Sequence, residues 1–136
     1  MASNKARAYF GLSGYHFNPD NITQLIGIEP TATNGSGMGG SLDKPAISSW
    51  ELSTDIIIDD IDLYDLTDII TKQLEPVTDK ILEAIKNYNV SPRFGVVLEL
   101  TVEKNASNPD IGFGARTIRL LAELGAFINI EYKLSE

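Results

Sequence analysis

The chain has no cysteine, one histidine, one tryptophan and far fewer cations than anions. Without cysteine there is no disulfide, no thiolate metal site and no cysteine nucleophile, a usage that fits a reducing compartment. Any histidine-dependent catalysis falls to His16, with Asp20 the candidate to orient it, and no GxSxG nucleophile elbow occurs. No apolar run approaches the roughly 20 residues that cross a bilayer. The amino-terminal stretch MASNKARAYFGLSG interrupts its apolar character with Lys5 and Arg7. The chain is therefore expected to be cytoplasmic and soluble, with no membrane partner. Eleven Lys and Arg against nineteen Asp and Glu leave a formal net charge of -8, which repels phosphate backbones and attracts basic surfaces. Nucleic acid is thus not expected as a partner; a basic protein is. At 136 residues the chain is the size of one domain, so residues 1–136 are read as a single unit around one core.

What is present is legible as periodicity. Ala6, Ala8, Phe10 and Leu12 alternate with Arg7, Tyr9, Gly11 and Ser13, the period of a half-buried strand. In HFNPDNITQLIGI, Asn18 is placed to cap a helix, Pro19 to open it and Gly27 to close it in the left-handed conformation. Glu29 to Pro45 is rich in glycine, threonine and serine and reads as a solvated loop. In AISSWELST, Trp50 and Leu52 face the core, opposite Ser49, Glu51 and Ser53. From Leu63 to Tyr88 apolar residues recur every three or four positions, straight through Pro76. A proline inside a helix costs about 3 kcal/mol, so a kink or two helices end to end are expected there. FGVVLELTVE sets Phe94, Val96, Leu98, Leu100 and Val102 on one side. ARTIRLLAEL offers Ile118, Leu121 and Ala122 to the core before Gly125, and AFINIEYKL puts Ile128, Ile130, Tyr132 and Leu134 inside.

Four strands with one polar side each differ from the continuous apolar runs of a doubly wound sheet. The expected fold is α+β: a single four-stranded sheet, largely antiparallel or mixed, with helices packed on one face. The other face would carry Arg7, Tyr9, Glu51, Glu99, Thr101, Glu103, Asn129 and Glu131, either as wet surface or as an interface.

The order of these marks is specific. YFGLSGYHFNPDNITQLIGIEPT, a glycine-containing loop, SSWELS, a helix with LEP and a closing LAELGAFINIEY together resemble the bacterial domain of unknown function DUF4279 over nearly the whole chain. The block FNPDNITQLIGIEPT, Phe17 to Thr31, and the terminal LAELGA carry the resemblance most specifically. It implies a small bacterial cytoplasmic protein with no established reaction, so no catalytic residue is carried over. By analogy, some related small bacterial domains look like immunity proteins or contact-dependent binding modules. Where members usually have a basic residue after the loop glycine, this chain has the longer NGSGMGGSLDK, so no role is transferred to that loop.

That loop contains a literal GxGxxG at Gly35, Gly37 and Gly40. A dinucleotide fingerprint works in a turn from strand to helix, where the helix amino terminus receives the pyrophosphate. Here a proline and a strand pattern follow instead, and the GxxxxGK[ST] alternative lacks its lysine, so no nucleotide cofactor is expected. The aspartates at 55, 59, 60, 62, 65 and 68 lack the glycine and glutamate of a calcium loop; the reading that fits them is that Asp60 or Asp62 caps the long helix, and no metal is expected. The candidate ligand-binding residues are Tyr15, His16, Trp50 and Phe113, aromatic and polar groups that could border a pocket beside the glycine-rich loop.

The resulting expectation is a non-enzymatic protein-binding module, immunity-protein-like, whose acidic surface meets a basic partner. The alternative is a small-molecule-binding protein or minor hydrolase with its site near the glycine-rich loop and Trp50. A third is a self-associating domain, such as a homodimer, that uses the open sheet face or an exposed edge strand.

Overall fold

A computed structural model of the chain describes residues 3–35, 47–102 and 109–135. Its strands are β1 (Lys5–Tyr15), β2 (Ala32–Asn34), β3 (Ile47–Ser53), β4 (Ile57–Ile58), β5 (Ser91–Thr101) and β6 (Phe127–Ser135); its helices are α1 (Pro19–Ile26), α2 (Leu63–Leu74), α3 (Thr78–Tyr88) and α4 (Ala115–Leu124). The alternation of β1 and β5 is reproduced in their burial, with Ala6, Ala8, Phe10, Leu12, Phe94, Val96 and Leu98 all buried. These two strands pair antiparallel at the centre of the sheet. The order across it is β2-β3-β1-β5-β6, and β4 pairs with the start of β1, at Lys5 and Ala6. β6 runs parallel to β5, so the sheet is mixed.

Among the described residues the sheet has six strands rather than four. The two that periodicity missed give it nothing to work with: β4 is two residues long, and β2 is exposed at all three. β2 falls inside the segment expected to be a loop. It is held by polar groups, Thr31 N–H to the Glu51 carbonyl at 2.7 Å, Ser53 N–H to Thr31 Oγ1 at 2.8 Å and Asn34 Nδ2 to the Ile47 carbonyl at 3.0 Å.

Helix ends follow their sequence marks. Asn18 Oδ1 accepts from Asp20 N–H with Pro19 next in line, and Gly27 closes α1 at φ 81°. Asp62 caps α2 by accepting from the N–H groups of Tyr64 and Asp65. Pro76 sits in one 3₁₀ turn, Glu75–Val77, between α2 and α3, so the long amphipathic run is two helices joined end to end. Leu63, Leu66, Ile70, Leu74 and Ile81 keep one buried face across that joint. Arg116 of α4 donates to and pairs with Glu75 at the same joint; that hydrogen bond, opposed by desolvation and aided by the charges of Glu75 and Asp68, holds the guanidinium above its ordinary pKa.

Three inner faces differ from expectation. At the end of β5 the alternation gives way: Val102, expected inside, is exposed, while Thr101, expected on the outer side, is buried. In α4 the buried residues are Thr117, Leu120, Leu121 and Leu124, while Ile118 and Ala122 are exposed. The helix is rotated toward its threonine because Thr117 Oγ1 meets Thr71 Oγ1 at 2.8 Å, both groups buried. In β6 the row expected inside, Ile128, Ile130, Tyr132 and Leu134, is 44, 43, 69 and 65% exposed. It stands on the same side as Phe94, Val96, Leu98 and Leu100, its register partners in β5, but at the sheet edge, beyond the cover of the helices.

Candidate functional site

The side of the sheet away from the helices is built from cross-strand rows fixed by the pairing register. They read Glu51, Gly11, Arg93, Phe127; then Ser53, Tyr9, Gly95, Asn129; then Arg7, Val97, Glu131; then Lys5, Glu99, Lys133. Alternation puts these side chains outward because the intervening residues fill the core.

Tyr9 orders this surface. It is only 3% exposed although it lies on the outer face, because its ring occupies the space above Gly95. Its hydroxyl accepts from Asn129 Nδ2 at 3.1 Å and lies 3.4 Å from Glu131 Oε1, and Asn129 Nδ2 also donates to Glu131 at 2.7 Å. On its other flank Arg7 stacks its guanidinium 5.2 Å from the Tyr9 ring centre and reaches Ser53 Oγ at 3.1 Å and Glu51 at 3.4 Å. Lys5 and Lys133 both approach Glu99, at 3.8 and 3.3 Å. Such half-exposed pairs contribute about 0–1 kcal/mol each, so they order the surface more than they stabilise the fold.

Two hollows open on this side. One, of about 310 Å³, is lined by Lys5, Arg7, Ile56, Val97, Glu99 and Glu131 among others. The second, of about 340 Å³, includes Tyr9, Gly11, Ser13, Asn34, Glu51 and Arg93. Arg93 lies over Phe127 at 5.2 Å, and its Nε, though buried, has no hydrogen-bond acceptor among the described residues.

Beside the first hollow the chain leaves β3 through Asp55, Ile56, Ile57, Ile58, Asp59 and Asp60. The three isoleucines are 60, 37 and 59% exposed, and the aspartates that frame them are exposed as well. Asp59 and Asp60 both adopt left-handed backbone, at φ 57° and 46°, which turns the chain from β4 toward the cap of α2. In the sequence these aspartates are expected only as helix caps; the signal for this segment is the unbroken DIIIDD, an apolar triplet that no periodicity buries.

The four residues singled out from the sequence are not brought around one opening. Tyr15 is exposed at the end of β1, opposite Ile47. His16 is exposed at φ 58° and forms no hydrogen bond with Asp20. Trp50 has no exposed surface, and its indole N–H donates to Thr23 Oγ1 at 3.0 Å. Phe113 is half-buried and meets Phe94 edge-on, with ring centres 6.2 Å apart. The hollow that Trp50 borders is lined by none of the other three. Gly37, Gly40 and Glu103 lie outside the described residues. Among the described residues, no three or more His, Asp and Glu side chains form a group that could hold a metal ion, and no helix is long and apolar enough to cross a membrane.

A family model described as a domain of unknown function, DUF4279, matches residues 4–135. No curated protein and no solved structure matches the chain.

Proposed function

The chain belongs to the DUF4279 family, and from that premise we propose that it is a non-enzymatic binding module that engages a basic protein segment at the Ile56–Ile58 edge. The observation that carries the reading is the composition of that edge: three neighbouring isoleucines in water, framed by Asp55, Asp59 and Asp60. Exposed apolar side chains rimmed by charge mark interaction surfaces, and aspartates select a cationic partner. β4 is paired with β1, and an extended segment laid along its other side would gain main-chain hydrogen bonds while its apolar residues meet the isoleucines. The overall charge of -8 speeds the encounter. An immunity-like role, covering the basic surface of another protein, is the same chemistry on a larger scale.

A synthetic peptide alternating lysine and leucine tests this, titrated against the protein beside its glutamate counterpart. Binding by the lysine peptide alone, weakened at high salt and lost in Ile57→Lys, is the expected outcome. Equal binding by Ile57→Lys or by the acidic peptide contradicts it.

A second reading rests on Arg93. Its side chain borders the 340 Å³ hollow, and its Nε has no acceptor among the described residues. A small carboxylate ligand would supply one, placed over the bare backbone of Gly11. A thermal-shift screen of carboxylic acids on the wild type and on Arg93→Gln separates the readings: stabilisation confined to the wild type supports this site, and no stabilisation by any acid removes it.

A further inference from the structure

The two edges of the sheet are unequal. On one side the outermost strands are β2 and β4, three and two residues long; on the other, β6 runs nine residues in unbroken register with β5, from Phe127 to Ser135. Natural edge strands are blunted by shortness, proline, bulges, inward-pointing charge or charged side chains, and of these β6 has only the last, Glu131 and Lys133. β6 has no proline, its register shows no bulge, and its helix-side row is Ile128, Ile130, Tyr132 and Leu134, all exposed. A strand of this length presents about 30 Å of main chain, at 3.3 Å per residue, that pairs with no further strand among the described residues.

We infer that β6 pairs antiparallel with β6 of a second copy of this chain, joining two sheets into one across a two-fold axis at Tyr132. Charge selects the occupant and the register. Across the outer face Lys5, Glu99 and Lys133 already alternate in sign from strand to strand, and the row ends at the edge on Lys133, whose side chain is 72% exposed. An antiparallel pair centred on residue 132 sets Lys133 opposite Glu131 of the second copy, twice by symmetry, and the row continues as plus, minus, plus, minus. The same register sets Ile130 opposite Leu134, Tyr132 opposite Tyr132 and Asn129 opposite Ser135. Centring on Glu131 instead sets two carboxylates against each other, which cross-strand pairing disfavours. A two-fold contact of this kind is self-complementary and closed, so it yields a dimer and not a fibre. The apolar rows of the two β6 strands then lie side by side between the two helix layers, which accounts for hydrophobic side chains that the single chain leaves in water. This interface lies on the opposite edge of the sheet from Ile56–Ile58 and does not depend on the proposal made for that segment.

Light scattering on the full chain gives the first measurement, with a mass twice 14.9 kDa expected. A mass of 14.9 kDa at the highest soluble concentration overturns the inference. Glu131→Lys and Lys133→Glu each place like charges opposite one another and should weaken the dimer about tenfold or more. Mixed together, the two variants restore both opposite-charge pairs and should form a heterodimer; failure to associate on mixing overturns the register. Because the chain has no cysteine, Tyr132→Cys is a clean probe. Residues directly opposite on antiparallel strands stand roughly 4.5–5.5 Å apart at Cα, within reach of a disulfide. Oxidation should link Tyr132→Cys chains in pairs and leave Leu134→Cys chains single. Equal linking of both contradicts the inference.

Discussion

The ring of Tyr9 lies so close over Gly95 that a Cβ added at residue 95 would run into its Cζ and hydroxyl. The glycine lets an aromatic side chain on the outer face of the sheet lie flat, and that posture delivers its hydroxyl to Asn129 and Glu131. Gly95→Ala is therefore expected to destabilise by about 1–3 kcal/mol through overpacking. Tyr9→Ala removes the obstacle, so the double variant should cost clearly less than the sum of the two singles. Urea unfolding of the four proteins measures this, and strict additivity would show that the ring does not depend on the glycine.

Thr71 and Thr117 give an asymmetric prediction. Thr71 Oγ1 also donates to the Thr67 carbonyl at 2.9 Å, whereas the bond to Thr71 is the one described for the Thr117 hydroxyl. Thr71→Val strands a buried hydroxyl and should cost about 1–3 kcal/mol, with Thr117→Val costing less. The reverse order in denaturant melts would contradict the pairing.

Trp50 reports on its own surroundings because it is the only tryptophan. Its fluorescence should be blue-shifted and poorly quenched by acrylamide, as its zero exposure requires. Thr23→Ala leaves the indole N–H without its acceptor and should lower stability by about 1–3 kcal/mol. A fully quenchable indole would mean that this core is open.

Asp62→Ala removes the side chain that receives two N–H groups at the start of α2. The expected loss is about 1 kcal/mol. Asp60→Ala should change stability far less, because α2 is capped by Asp62 alone. Equal losses in thermal melts would contradict that assignment.

Local chemistry was legible in the sequence wherever one side chain decides the outcome. Asn18, Pro19 and Gly27 bound α1, Gly125 ends α4, and the proline at 76 splits the long amphipathic run. The alternation in β1, in β3 and in β5 from Phe94 to Leu98 also marks which side meets the helices, and it fails at Thr101 and Val102. Where neighbours decide, periodicity misled. Ile128, Ile130, Tyr132 and Leu134 share the core-facing side of the sheet, but whether a side on an edge strand is covered depends on helix placement. The inner face of α4 turned on a threonine pair 46 residues apart in sequence, which no apolar stripe encodes. The Ile56–Ile58 segment belongs to neither pattern: the triplet fits no helical or alternating period, and the strand that carries part of it is two residues long.

The most direct measurement is a residue-by-residue NMR titration of the chain with the lysine–leucine peptide at low salt, where charges act over about 10 Å at 0.1 M. Amide shifts centred on Ile56 to Asp60 and reversed near 1 M salt, where that range falls to about 3 Å, are the predicted result. Shifts centred elsewhere, or none at low salt, would contradict a basic partner at this edge.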